Sequence, residues 1–385
     1  MKNFKHINIL KGLGIIAVVL GHVGSPFVKI IYMYHMALFF FISGYLYNDK
    51  YEKNIFRYIL KKIKSLYVPF VIFEIILLTL RNTLIRLHIY DISQVNSINS
   101  FKDLSENLKY IITFNNMPGE SMLGAVWFLK TLFYVSILYA IFNIVLKKVI
   151  KKENEYLKCL IIVVLAVLSF DLIYNGWNLA MYLNPNHKKV LSIFTDMFDF
   201  RNFLIMSIFY FGNLYKKNEH KFPINIYLAI ISLITIYYNT RIATIDIAYY
   251  QFINPIFFFT SSLAGIYLNL YIKDKICNSK FSFRLIEYAG KLSIYIMMLH
   301  LLSCKLIDII ITNIYNLPKE ILLGYPVTFY NKYMWILYTL VGVIIPIGIG
   351  ISYNIIKTKF IKNKIKAYTI IKEYNNIWIW FLLYI

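Results

Sequence analysis

Long apolar runs joined by short basic connectors leave a chain few ways to fold. Stretches of about twenty apolar residues recur along this 385-residue sequence, and most of its lysines sit between them. A hydrocarbon core of ~30 Å requires a helix of about that length, since in lipid each backbone N–H and C=O must be satisfied within the protein. The chain is 59% hydrophobic and only 16% charged, where soluble domains carry about a quarter charged residues. The reading is an all-α integral membrane protein, a bundle of about ten transmembrane helices near 8–25, 31–48, 66–88, 123–146, 157–174, 202–215, 223–240, 252–272, 288–311 and 333–356. The sixth is short, and Pro69 and Pro346 are expected to kink or delimit the third and tenth.

The charge pattern sets the orientation. Gathered on one face, a net charge of +22 would suit a nucleic-acid partner. It lies instead in the connectors, so no nucleic acid is expected. With alternate connectors assigned to one side, starting from the N-terminus, that side holds 28 Lys and Arg. The other holds 9: Lys29, Lys102, Lys109, Lys188, Lys189, Arg201, Arg241, Lys319 and Lys332. The positive-inside rule then puts both termini in the cytoplasm of a multi-pass protein of the cell (plasma or inner) membrane. Residues 1–360 form the bundle. In 361–385, Lys alternates with Ile, Tyr and Trp, which suits a tail lying on the inner membrane surface. The Lys-rich start resembles a signal peptide, but no A-x-A cleavage site follows, so the first apolar run is expected to stay. Cys159, Cys277 and Cys304 form no CxxC pair and read as free thiols.

Ionisable residues inside spans are costly and mark interior faces or watery cavities. Arg81 and Arg86, near a span end, are expected to snorkel outward. Lys305 and Asp308, three residues apart, suit a mutual ion pair. Glu74 and Lys130 are candidates to pair between helices, and Asp171 lies near the outer end of its span. The histidines are harder to explain by packing. Lys11 and His22 are separated by almost three helical turns, so they share a face about 16 Å apart along the axis. His35 falls one turn below the outer surface and His300 near mid-membrane, so three imidazoles are expected to meet in the middle-to-outer bundle. A single intramembrane His is as often a structural hydrogen bonder as a functional group. Three at compatible depths point to proton transfer. No HExxH, His pair at i, i+4 or CxxC supports a metal site. No P-loop or GxSxG elbow supports an ATPase or serine hydrolase.

Two motifs carry a resemblance. The runs Ile9-Leu-Lys-Gly-Leu-Gly-Ile-Ile-Ala-Val-Val-Leu-Gly-His22 and Tyr34-His-Met-Ala-Leu-Phe-Phe-Phe-Ile-Ser-Gly-Tyr45 resemble the opening of the membrane acyltransferase 3 family, and within it the fucose 4-O-acetylase-like group. Trp127-Phe-Leu129 and the run from Gly290 to His300 support the match. The resemblance implies ten spans and an enzyme that moves an acyl group, typically acetyl, from cytoplasmic acyl-CoA to a hydroxyl of a surface sugar or polysaccharide. Acetyl-CoA is then a co-substrate, with no resident cofactor. The family's basic-x10-His pattern falls on Lys11 and His22, where many members carry Arg first. Its paired basic residues after span two fall on Lys61 and Lys64, again Lys for Arg. Lys binds phosphate as a point charge, without Arg's bidentate fork. The positive-inside rule by itself explains Lys61, Lys62 and Lys64 equally well.

The implied chemistry needs a base for the hydroxyl and donors for the developing oxyanion. His22 suits the base. His35, His300, Tyr45 and Ser43 are candidate donors or substrate positioners, and Trp127 joins the positioning set, although Ser43 beside Gly44 reads more simply as helix-packing material. Acetyl versus succinyl, and a free versus lipid-linked acceptor, are left open by the sequence. The rival reading is a polysaccharide exporter or other secondary transporter using buried His and Lys. It finds no inverted repeat or matched broken helices.

Overall fold

In lipid, apolar side chains give helices little reason to associate, so a bundle is held where backbones come close and where polar groups find each other. The computed structural model describes residues 2–150, 154–179, 183–184 and 189–383, and the described residues are helical with no strand. In chain order the helices are α1 (Lys2–His22), α2 (Val28–Tyr32), α3 (His35–Tyr45), α4 (Ile55–Lys62), α5 (Val68–Arg86), α6 (Phe101–Ile112), α7 (Trp127–Val149), α8 (Glu155–Tyr174), α9 (Lys189–Thr195), α10 (Phe200–Asn218), α11 (Ile226–Ile242), α12 (Pro255–Asn278), α13 (Arg284–Lys291), α14 (Ser293–Ile314) and α15 (Met334–Leu383). Polar residues before the apolar runs start several of them. Asn154, Asn225 and Asn254 each accept a backbone N–H of the following first turn, and Pro255 occupies the first helical position of α12.

Seven segments are long and apolar enough to cross a membrane: Val28–Tyr45, Ile55–Arg86, Gly124–Val149, Glu155–Tyr174, Pro255–Asn278, Ser293–Ile314 and Met334–Lys359. The other three expected spans coincide with α1, α10 and α11. The last is apolar but only 17 residues long. The first two carry Lys11, His22, Asn202 and Asn213 within them and bury much of their surface against neighbouring helices. A helix enclosed by others faces little lipid and need not be apolar all round. The outer face is plainly apolar: Leu160, Val164 and Leu168 of α8, with Ile230 and Ile234 of α11, are exposed. Lys151, Lys152 and Lys188 of the charge pattern lie outside the described residues, as do the side chains of the 361–385 tail.

Two crossings fix the centre. Where α1 meets α13, a Cβ on Gly12 would lie 2.0 Å from the Ile286 carbonyl oxygen, and one on Gly290 would lie 1.7 Å from that of Asn8. Where α3 meets α10, Gly44 and Gly212 pack in the same way against Phe209 and Phe41. No side chain fits at either contact. Span two is not one helix: it breaks at Met33 and Tyr34, just before His35. The third runs on from Ile55 through a π-helical turn at Ile63–Tyr67, directly before Pro69.

The two pairing expectations meet different outcomes. Lys305 and Asp308 do pair, at 3.1 Å and almost fully buried. Lys130 instead binds Asp196 at 2.6 Å and Asn115, while Glu74 is buried on α5 beside Arg81 and Glu120. Arg81 does not snorkel. It is 2% exposed and donates to Asn107 (2.6 Å) and to the Pro118 carbonyl. The loop between α6 and α7 folds back far enough to supply that carbonyl, which a hydropathy reading of single spans cannot show. Arg86 remains exposed, and so does Asp171.

Candidate active site

A repeating face of α1 organises the site. Lys11, Ile15, Val18 and His22 follow one another at helical spacing. Lys11 and Ile15 line a cavity of about 380 Å³. Val18 and His22 line a second, of about 560 Å³. Other helices divide likewise. Phe39, Ile42 and Ser43 of α3 line the first, His35 and Met36 the second; Phe128 and Leu129 of α7 line the first, Trp127 the second. The cavities therefore lie at successive levels of the same helices, and His22 lines the second, one turn beyond Val18.

The first cavity is basic. Lys11, Lys61 and Lys62 line it with Tyr51 and Tyr58, and the Lys61 and Lys62 ammonium groups sit 4.6 Å and 5.3 Å from the centres of those two rings. A third cavity of about 730 Å³ adjoins it across Tyr47 and is lined by Lys50, Lys53, Lys147, Lys216 and Lys217. Glu52 pairs with Lys147 there (2.8 Å), and Lys217 reaches Glu155 (2.7 Å). The second cavity is aromatic instead, lined by Tyr32, Trp127, Tyr249, Tyr325 and Tyr330. Burial pushes the Tyr325 phenol up to about 12, so it stays an O–H donor.

At the wall of the second cavity His22 Nδ1 and His300 Nε2 are 2.8 Å apart, with rings inclined by only 12°. His300 Nδ1 lies 2.9 Å from the Ile296 carbonyl and 3.0 Å from that of Met297. A carbonyl only accepts, so Nδ1 of His300 carries the proton. Its Nε2, in the neutral ring, then accepts. His22 must supply the proton of the shared bond from its own Nδ1, which leaves His22 Nε2 as the basic nitrogen. The network thus assigns the tautomers of both rings. His35 obeys the same logic: its Nδ1 donates to the Ile31 carbonyl at 2.9 Å, leaving an accepting Nε2. At the helix break Tyr34 N–H bonds to the same Ile31 carbonyl at 3.1 Å.

The sequence model of the acyltransferase 3 family, described as an acyltransferase domain, matches residues 4–353. The chain belongs to that family. No curated protein and no solved structure matches it significantly. This acyltransferase 3 chain is accordingly an acyltransferase with membrane-type apolar helices.

Of the residues singled out in this family member, the structure joins His22 to His300 and places His35 and Trp127 in the same aromatic cavity. Lys11, Ser43 and Lys61 line the basic cavity. Two stand elsewhere. Lys64 is exposed and outside the cavity lining: Tyr58, Lys61, Lys62, Ser65 and Leu66 share the inward face at helical spacing, and Lys64 falls off it. Tyr45 lines neither cavity, and its hydroxyl donates to Glu219 at 2.7 Å. In neutral form His35 and His300 spend their N–H groups on backbone carbonyls, so neither ring offers an N–H to an oxyanion. Sequence reasoning did not find the five-lysine cavity or the loop residues Asp246, Tyr249, Tyr325 and Tyr330. The lysines carried no signal beyond connector charge, and the loop residues come from connectors far apart in the chain.

Proposed function

We propose that the protein transfers an acyl group, the acetyl of acetyl-CoA, from the basic cavity to a sugar hydroxyl held in the aromatic cavity. The observation that carries this reading is the hydrogen-bonded His22–His300 pair, with His22 lining a tyrosine-rich cavity and a lysine-lined cavity at the adjacent level of the same helices. Acyl-CoA is polyanionic at one end. Lys11, Lys61 and Lys62 suit its pyrophosphate, and the adjoining lysine cavity suits its remaining phosphate. The thioester end then extends along α1 toward His22. A sugar presents hydroxyls at its edge and C–H groups on its faces, which suits a wall of tyrosines and a tryptophan.

In this scheme His22 Nε2 takes the proton of the acceptor hydroxyl as its oxygen attacks the thioester carbonyl. The tetrahedral intermediate collapses, the C–S bond breaks, and the departing CoA thiolate takes the proton back from His22. An ester and free CoA result. His300 is a positioning residue that holds His22 in the basic tautomer. The His35 Nε2 accepts from a neighbouring hydroxyl and orients the ring. Positive-inside orientation puts the basic cavity on the cytoplasmic side of a ten-helix arrangement, and the sugar or polysaccharide approaches from the other side.

The test is label transfer. Purified protein in proteoliposomes receives radiolabelled acetyl-CoA and a polysaccharide or lipid-linked glycan, with His22→Ala as control. Ester-linked label on the glycan, lost in the variant, is expected. Full labelling by the His22→Ala protein would overturn the scheme.

A further inference from the structure

Resting on the acyl-transfer reading above, we propose that Asp246 selects the acceptor: its carboxylate binds hydroxyls of an uncharged sugar ring and excludes acidic sugars. Among the described residues lining the aromatic cavity, Asp246 is the one carboxylate, and no Lys or Arg lines it. The residue sits in the connector between α11 and α12 and is built into place. Asp246 and Gln251 exchange backbone hydrogen bonds of 3.0 Å and 2.8 Å, closing a tight turn. Within that turn Oδ1 accepts the amides of Ala248 (2.9 Å) and Tyr249 (3.3 Å). No hydrogen bond from the described residues reaches Oδ2.

The back of the turn is braced by α10. Arg201 donates to the Ala248 carbonyl at 3.2 Å, and its guanidinium lies 4.6 Å from the Tyr250 ring and 5.4 Å from that of Trp127. Asp199 pairs with Arg201 at 3.5 Å and accepts the Tyr250 hydroxyl. The Arg201 guanidinium thus lies against carbonyls, a carboxylate and two ring faces, and forms no ion pair with Asp246 among the described residues. A carboxylate pre-set by two amides accepts hydroxyls through charge-assisted bonds of fixed direction. The same charge, in a cavity without Lys or Arg, repels a uronic-acid carboxylate or a sugar phosphate. Repulsion of that kind sets specificity as strongly as attraction does.

Purified protein is given labelled acetyl-CoA and either an alkyl hexoside or the matching alkyl hexuronide. The wild type should acylate the hexoside and discriminate against the hexuronide. Asp246→Asn keeps an oxygen for the two amides and so preserves the turn. It should raise the hexoside KM by about 10- to 100-fold, the worth of a hydrogen bond to a charged group, and narrow the preference over the hexuronide. The KM for acetyl-CoA should not change, since the donor cavity lies at another level of the helices; this also reports that the variant is folded. Asp246→Glu, which keeps the charge, should retain the hexoside preference. Wild-type preference for the hexuronide, or an unchanged preference in Asp246→Asn, overturns the proposal while leaving acyl transfer standing. Absence of label on either sugar with the wild type overturns both.

Discussion

Replacing His300 tests the relay directly, because the structure gives it no task except to hold His22. The bond between them is 2.8 Å long and part-buried. Such a bond contributes about 0.5–1.5 kcal/mol net, which at 1.36 kcal/mol per tenfold is about 2- to 13-fold in rate. Without His300 the His22 proton is no longer confined to Nδ1. Equal sharing between the two nitrogens leaves half the molecules without a base, a further factor of about two. His300→Ala should therefore lower kcat by about 5- to 25-fold, well short of the ~10²–10⁴-fold expected for His22→Ala. His300→Gln places an amide oxygen where Nε2 stood and should recover most of the loss. The double variant His22→Ala, His300→Ala should be no slower than His22→Ala alone, since a residue acting through another contributes nothing once that other is gone. The measurement is initial-rate label transfer at saturating acyl-CoA, normalised to monodisperse protein. Multiplicative losses in the double variant would refute the relay, and so would a His300→Ala loss as large as that of His22→Ala.

Three further outcomes are expected. Lys305 and Asp308 join the loop bearing Tyr325 and Tyr330 to α14: Lys305 donates to Leu322 and Gly324 carbonyls, and Asp308 accepts from Thr328 and Tyr338. Lys305→Met strands a buried carboxylate and should cost about 3–5 kcal/mol of stability in detergent melts, with a milder loss in Lys305→Met, Asp308→Leu; equal losses would show that the charge is not what matters. Lys61→Glu with Lys62→Glu should raise the acyl-CoA KM, as added salt should, whereas Lys64→Glu should change it little; equal effects would reduce all three lysines to topology signals. Cysteines at Asn96 and Asn316 should react with impermeant reagent from outside, and those at Asn54 and Asn278 only after the membrane is opened. Outside protection of Asn96 would break the proposed orientation.

Helices, membrane and the Lys11–His22 alignment were legible in the sequence because they are local. A run of apolar residues must close its own hydrogen bonds in lipid, and 3.6-residue periodicity carries one face from Lys11 to His22 without reference to any other part of the chain. The Lys305–Asp308 pair was legible for the same reason, at three residues' spacing. What stayed hidden depends on contacts across hundreds of residues or on packing. The His22–His300 bond joins positions 278 apart, and only the close approaches at Gly12, Gly290, Gly44 and Gly212 bring α1, α3, α10 and α13 near enough to build its surroundings. The basic nitrogen of His22 follows from two carbonyls on α14, which no reading of α1 contains. Lys62 rather than Lys64 joins Lys61 at the cavity because packing decides which face of that helix turns inward, a choice its own residues do not make. Asp246 was one more acid in a connector until the fold set it among aromatic rings drawn from several other connectors and helices. Local periodicity is fixed by backbone chemistry, whereas the choice of which faces meet belongs to packing, and packing is a property of the whole chain.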